Sequence, residues 1–139
     1  MSGSKIVDIP VKMEKFYGKG KMLHPSIEDV EQLVKTIPKG SVTTIEAIGK
    51  RLAIDFGTKV TCPMRAGNSI KKIADRYLTE TVNNQVPFWR VIRTNKLLVK
   101  SKNYELSASK IEDEGFTLLY EKSGAIKLDV EADNFFVFE

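Results

Sequence analysis

The sequence of 139 residues contains a single cysteine, Cys62, and a single histidine, His24. One cysteine cannot form an intramolecular disulfide, and these two residues alone cannot supply the ligands of the usual structural zinc site. A catalytic arrangement that needs two histidines is excluded for the same reason. We therefore expect no metal, no cofactor, and a reducing, cytoplasmic environment.

Long apolar runs are also absent. No run approaches the roughly 20 residues that a membrane-spanning helix needs, and the N-terminal stretch MSGSKIVDIPV lacks the apolar centre of a secretory signal. The length is that of one domain with a single core. We expect a soluble monomer that has no membrane partner.

Charge is unevenly distributed along the chain. Residues 1–102 contain 19 Lys and Arg against 9 Asp and Glu, a net +10, whereas residues 103–139 contain 3 against 9, a net −6. A basic body with an acidic tail suits a polyanion such as nucleic acid. An ordinary lysine-rich solvated surface is the alternative interpretation.

Three helices are predicted in the middle of the chain. In HPSIEDVEQLVKTIPKG, apolar residues recur at helical spacing after Ser26, a predicted N-cap. The next unit, GSVTTIEAIGKRLAIDFG, places Thr43 three residues before Glu46, as in a capping box, and predicts a short second helix. In TCPMRAGNSIKKIADRY, Pro63 suits the first turn of a third helix that should run to about Tyr77.

The predicted third helix has two different faces. At about 100° per residue, an apolar side opposes a cationic and polar side that contains no acidic residue. The apolar side consists of Ala66, Ile70, Ile73, Ala74 and Tyr77, and the polar side of Arg65, Asn68, Ser69, Lys72 and Arg76. A short helix followed by such a helix predicts a helix-turn-helix whose later helix enters a DNA groove. An ordinary solvated face is again the alternative.

In the segment VPFWRVIR, residues 86–93, side chains would alternate between the two sides of a core strand. Such a strand would place Arg90 among apolar neighbours, so its charge would need a partner. We expect that partner to be an acidic residue near Glu114. A turn at Thr94-Asn95 and the sequence KLLVKSK then predict a hairpin that could serve as a wing beside the helical pair. Its basic residues are Arg93, Lys96, Lys100 and Lys102.

The two ends of the chain predict strands. Residues 5–11 form a strand candidate, followed by a basic, glycine-containing stretch that is expected to be loop or irregular strand. A short helix is predicted at residues 105–114, with Gly115 ending it. The last segment predicts two or three strands with a turn at Ser123-Gly124. We expect residues 1–24 to be an N-terminal strand and loop, 25–117 the main domain, and 118–139 strands packed on it.

The order of these parts resembles the DNA-binding domain of the alkylguanine-DNA alkyltransferases. The similarity covers residues 25–117 and depends on IPKGSVTTIEAIGKRLA, MRAGNS, PFWRVI and EDEGF. It implies an α+β fold, a winged helix-turn-helix-like domain of the alkyltransferase C-terminal type, with additional short C-terminal strands. It also implies that Arg65 is the arginine finger that fills the space left by a flipped base.

The resemblance places Phe88 where the family has its alkyl-accepting cysteine, and Trp89 where it has the activating histidine. The family motif Pro-Cys-His-Arg-Val is thus replaced by the segment from Pro87 to Val91. A benzyl ring can neither ionise nor attack an alkyl group, so no alkyl transfer and no catalytic residue are expected. Ile45 stands where the family has a tyrosine, and the glutamate that orients the histidine has no clear match.

Three functions remain open at this point. The chain resembles the alkyltransferase-like proteins, which lack the cysteine, bind and flip alkylated guanine, and pass the lesion to other repair proteins. Pro87, Phe88, Trp89 and Ile45 would then line a base pocket. The alternative is that the rings of Phe88 and Trp89 fill this pocket and leave a plain DNA-binding domain. Thr43, Thr44, Arg93 and Lys96 would join the polar side of the third helix in contacting duplex DNA, which would make the protein nucleoid-associated. The alternatives are a DNA-binding module without base flipping and a protein-interaction module.

Overall fold

The computed structural model describes residues 3–76, 86–101 and 104–138. The helices are α1 (Glu14–Tyr17), α2 (Ile27–Val34), α3 (Ile45–Phe56), α4 (Pro63–Arg76) and α5 (Tyr104–Asp113). The strands are β1 (Lys5–Asp8), β2 (Lys21–His24), β3 (Thr43–Thr44), β4 (Val60–Thr61), β5 (Val91–Ile92), β6 (Thr117–Tyr120) and β7 (Ile126–Asp129). This arrangement confirms the predicted α+β class. Lys102 and Tyr77, which figured in the sequence predictions, lie outside the described residues.

The N-terminal segment forms more regular structure than its sequence predicts. β1 ends at Asp8, before Pro10, which has no N–H to donate to a strand ladder. The stretch that was expected to be loop or irregular strand contains the regular strand β2, whose Met22 and Leu23 are completely buried. β2 pairs antiparallel with β1 and parallel with β4, so the start of the chain is joined to the strand that precedes α4.

α2 and α3 begin with side-chain caps. The Ser26 hydroxyl accepts a hydrogen bond from the Asp29 N–H, as predicted. At α3 the capping residue is Thr44, whose hydroxyl accepts from the Ala47 N–H at 3.0 Å. The prediction of Thr43 as the cap is therefore wrong by one residue. Thr43 lies in β3 and is 1% exposed, so the prediction that it contacts a phosphate is also wrong.

The segment VPFWRVIR is not a continuous strand. Residues Phe88–Arg90 form a single 3₁₀ turn, and only Val91 and Ile92 are extended, as β5. β5 pairs in parallel with β3, aligning Thr43 with Val91 and Thr44 with Ile92. This pairing holds the start of α3 beside the start of the wing.

The wing, residues 92–98, forms a hairpin as predicted. The Lys96 N–H donates to the Arg93 carbonyl across the turn, and Ile92 pairs antiparallel with Leu98. The second side of the wing also contacts β7, since Leu97 pairs with Lys127 and the Leu98 N–H donates to the Ile126 carbonyl. β6 and β7 form the predicted C-terminal hairpin, which therefore supports the wing from behind.

A single apolar cluster lies between the helices and the short sheets. It combines residues from β2, α2, α3, α4, the turn before β5, α5 and β7, among them Leu23, Val34, Ile48, Ile70 and Leu128. The final aromatic residues also pack against it, and the Phe136 N–H donates to the Val42 carbonyl. In the described ranges no helix has the combined length and hydrophobicity of a membrane span.

The cap at Thr44 leads to a stability prediction. Replacing Thr44 with Ala should lower the free energy of unfolding by about 1 kcal/mol, because the Ala47 N–H loses its acceptor. Thr44→Ser keeps the hydroxyl and should retain most of the stability. Urea denaturation followed by circular dichroism measures both values. An equal loss in the two variants would show that the hydroxyl does not cap α3.

Candidate nucleic-acid interface

α4 presents a cationic face to solvent. Its buried face consists of Ala66, Ile70, Ile73 and Ala74, which confirms four of the apolar residues predicted from periodicity. Of the predicted polar side, Arg65, Asn68, Lys72 and Arg76 are exposed. Lys71 is exposed as well, although the sequence analysis did not single it out. The outer surface of α4 thus concentrates positive charge and one amide.

Ser69 does not belong to this outer face. It is 5% exposed, and its hydroxyl donates to the Arg65 carbonyl four residues earlier in the same helix. The reason is positional: Ser69 precedes the buried Ile73 by four residues, and residues at that spacing lie on one side of a helix. The prediction of Ser69 as a DNA contact is therefore wrong.

An open groove of about 420 Å³ lies between α4, the start of α3 and the wing. Its cationic lining residues are Lys71, Arg93 and Lys100. Among the described residues that line it, Glu46 supplies the one carboxylate. The other lining residues are Ile45, Pro63, Met64, Gly67, Asn68, Thr94 and Val99. The groove is therefore lined by both apolar and positively charged side chains.

Two predicted contacts are directed elsewhere. The Lys96 ammonium donates to the Val130 carbonyl at 3.2 Å, which attaches it to the C-terminal segment, and Lys96 does not line the groove. Thr44 uses its hydroxyl as the α3 cap. Arg93, by contrast, is exposed at the wing and lines the groove, in the place that the sequence analysis gave it.

The predicted base pocket is filled. Pro87 is buried, and Phe88 and Trp89 are only 2% and 8% exposed. Their rings pack edge to face, with the ring centroids 5.2 Å apart. The cavity beside them measures about 10 Å³, which is space for at most one water molecule. Ile45 does not line this cavity and lies in the groove instead. The prediction that these four residues share one pocket is therefore wrong.

The side chain of Glu114 holds Trp89 and Arg90 in place. Its carboxylate accepts hydrogen bonds from Trp89 Nε1, from Arg90 Nε at 3.0 Å and from the Gly40 N–H at 3.1 Å, and it pairs with Arg90 Nη2 at 3.0 Å. Arg90 Nη1 also donates to the Ile37 carbonyl. This confirms the expected partner of Arg90.

Two cations lie over the Trp89 ring. Lys110 Nζ is 5.5 Å and Arg90 Cζ is 5.8 Å from the ring centroid. Such contacts stabilise an aromatic ring electrostatically in addition to its burial. The aromatic segment is therefore fixed by packing, by a buried ion pair and by neighbouring charge.

Two solved structures have a similar fold. The crystal structure of S. pombe Atl1 in complex with damaged DNA containing O6-carboxymethylguanine matches with a TM-score of 0.56 and 20% identity. The chain is similar in fold to Atl1. The structure of S. pombe ATL in complex with DNA matches with a TM-score of 0.56 and 17% identity. Each match covers 79% of this chain and 93% of the other.

No protein-family model matches the sequence, and no curated protein matches it. The winged helix-turn-helix-like arrangement predicted from the sequence is nevertheless the fold of these neighbours. At this level of identity, the likeness shows the architecture alone.

The Glu114 side chain leads to a second stability prediction. It is 5% exposed, and replacing it with Ala should lower the free energy of unfolding by about 3–5 kcal/mol, because Arg90 would remain largely buried without its counter-ion. Asp55→Ala is the control, since Asp55 pairs with Arg51 at the surface of α3 and should contribute less than about 0.5 kcal/mol. Urea denaturation followed by circular dichroism compares them. Equal losses would contradict the role given to Glu114.

Proposed function

We propose that this protein binds duplex DNA through α4 and the wing, without catalysing a reaction. The observation that carries the proposal is the groove in which Lys71, Arg93 and Lys100 face one carboxylate, Glu46. Exposed Arg65 and Lys72 extend the same charge along α4. The two solved structures with this fold are both complexes with DNA, which supports the same class of partner here.

The physical basis is phosphate attraction. DNA releases condensed counter-ions when lysine and arginine approach its phosphates, so a compact cationic surface gains affinity that falls steeply with salt. A helix beside a hairpin wing can place side chains in a DNA groove and on the flanking backbone. We assign Lys71, Lys72 and Arg93 to phosphates, and Asn68, whose amide can both donate and accept, to base edges. We assign exposed Arg65, in the first turn of α4, to a phosphate as well, in place of the arginine-finger role that the resemblance gives it.

The proposal excludes alkyl transfer because of the residues present at the corresponding site. Phe88 has no atom that can form a bond with an alkyl group, and Trp89 is not a base. Cys62 precedes α4 by one residue, and its N–H donates to the Leu23 carbonyl. It lies apart from the cavity beside Phe88, which it does not line.

Replacing single lysines tests this surface. Lys71→Ala should weaken binding to any duplex sequence. It should also reduce by about one the magnitude of the slope in a plot of log affinity against log salt concentration. Lys122→Ala, which removes the same charge from the exposed turn between β6 and β7, is the control and should change affinity little. Fluorescence anisotropy at several salt concentrations measures both. If neither variant nor the parent binds a duplex at low salt, the protein-interaction alternative is favoured.

Recognition of alkylated guanine is a second candidate, supported by the groove rather than by the filled site at Phe88. Ile45, Met64 and Val99 give the groove an apolar floor. At about 420 Å³ it is many times larger than the roughly 10–15 Å³ that a cavity needs to hold one water molecule. A base that leaves the stack exchanges stacking for such apolar contacts. The neighbour of similar fold that was crystallised with DNA containing O6-carboxymethylguanine supports this second candidate.

A comparison of two duplexes decides whether the lesion is recognised. If the groove accepts the base, a duplex containing O6-alkylguanine should bind several-fold more tightly than the undamaged duplex at the same salt concentration. Met64→Ala should reduce that difference and leave binding to the undamaged duplex almost unchanged, because Met64 is an uncharged, largely exposed lining residue. Equal affinities of the parent protein for the two duplexes would leave DNA binding without damage recognition.

A further inference from the structure

The hairpin formed by β1 and β2 brings additional positive charge to the start of α4. In the β1–β2 register Lys5 is opposite His24, and in the β2–β4 register Leu23 is opposite Thr61. The Cys62 N–H then donates to the Leu23 carbonyl at 2.9 Å, one residue before α4 begins. His24 therefore lies beside the first turn of α4, which carries the exposed Arg65.

Lys5 and His24 are close enough to interact. Residues opposite each other in an antiparallel pair share one face of the sheet, with their Cβ atoms about 5 Å apart. Burial, then the positive charge of Arg65, then that of Lys5 lower the pKa of His24 below its ordinary value of 6.5. Burial and the two neighbouring cations therefore all disfavour the charged form of the imidazole.

The other groups around His24 do not reverse this effect. β4 and the residue before α4 contribute Thr61 and the Cys62 thiol, neither of which is a cation or a carboxylate. The carboxylates nearest in the chain are Glu28 and Asp29 in the first turn of α2, and Asp29 accepts a hydrogen bond from the Ser4 hydroxyl. The charges that act on the imidazole are the two positive ones.

We infer that the β1–β2 hairpin is part of the DNA interface, that Lys5, His24 and Arg65 together bind backbone phosphate, and that DNA binding is accompanied by protonation of His24. This inference rests on the proposed function and extends its surface beyond α4 and the wing. A phosphate between the three side chains offsets their mutual repulsion, which is strongest when His24 is charged.

The direction of the pH dependence follows from linkage. The phosphate favours the imidazolium, so the pKa of His24 is higher in the complex than in the free protein. Affinity then increases as the pH falls, and the gain is lost as the pH rises through the pKa of the complex. We expect an affinity on the order of tenfold higher at low than at high pH. In the free protein the lowered pKa has the opposite effect, since the folded state loses stability as the pH falls below 6.5.

The single histidine makes the experiment direct. NMR titration of the His24 ring, in the free protein and with an undamaged duplex, should give a pKa below 6.5 that rises on binding. Duplex affinity should increase between pH 8 and pH 5.5, and His24→Gln should remove most of that increase. No other side chain has an unperturbed pKa in this range.

Lys5→Ala provides a second readout that does not depend on the duplex. It should raise the pKa of His24 in the free protein, because one repelling charge is removed, and it should weaken DNA binding. Lys12→Ala is the matched control, since Lys12 follows β1 in the exposed turn Val11–Met13 and is not among the charges that act on His24.

The outcomes separate the two proposals. This inference is overturned if a duplex binds to α4 while the His24 pKa stays unchanged and the pH dependence of binding is the same in the parent and in His24→Gln. The proposed function would then remain intact. No duplex binding at low salt at any pH overturns both. A His24 pKa at or above 6.5 in the free protein, insensitive to Lys5→Ala, would show that the charges are not clustered as described.

Discussion

A buried carboxylate, that of Glu114, is the constraint on which the arrangement of the groove between α3, α4 and the wing depends. It connects the end of α5 to the loop before α3 through Gly40, and to the turn before the wing through Trp89 and Arg90. A carboxylate in this position is stable only while its donors surround it. These contacts therefore hold the three segments in fixed relative positions. The segment that contains Gly40 leads into β3, and the segment that contains Arg90 leads into β5, which pairs in parallel with β3.

Rigidity at this point matters for the groove, because its walls come from different parts of the chain. Ile45 and Glu46 begin α3, Lys71 belongs to α4, and Arg93 begins the turn of the wing. Their relative positions depend on short elements that would be unstable alone, since β3 and β5 contain two residues each. β7 supplies further support from the opposite side of the wing. The acidic part of the chain thus contributes to the cationic surface by holding one of its walls.

Much of this architecture could be predicted because it depends on local patterns. The faces of α4 follow from the spacing of Ala66, Ile70 and Ile73. The need of Arg90 for an acidic partner follows from the cost of burying a guanidinium without a counter-ion, although the sequence indicated only the neighbourhood of that partner. The errors arose where tertiary contacts decide. Whether Thr43 or Thr44 caps α3 depends on pairing with β5, a strand almost fifty residues later.

The same limit applies to the aromatic residues. Their sequence position resembles that of an alkyl-accepting site, but whether two rings line a cavity or fill it depends on packing against α4 and the wing. Likewise, β2 is too short to give a clear periodic signal, and its place beside α4 depends on parallel pairing with β4. The contribution of His24 could not be inferred without that pairing.

The tight packing around Phe88 also bears on whether a nucleophile could function at this position. A Phe88→Cys change would place a thiol among Ile70, Val91 and Leu98, in surroundings that favour its neutral form. The adjacent indole cannot remove the proton, and its N–H already donates to Glu114. A reactive nucleophile at this position would require a coordinated exchange of both aromatic residues and the opening of new space beside them, so a single substitution would not create one.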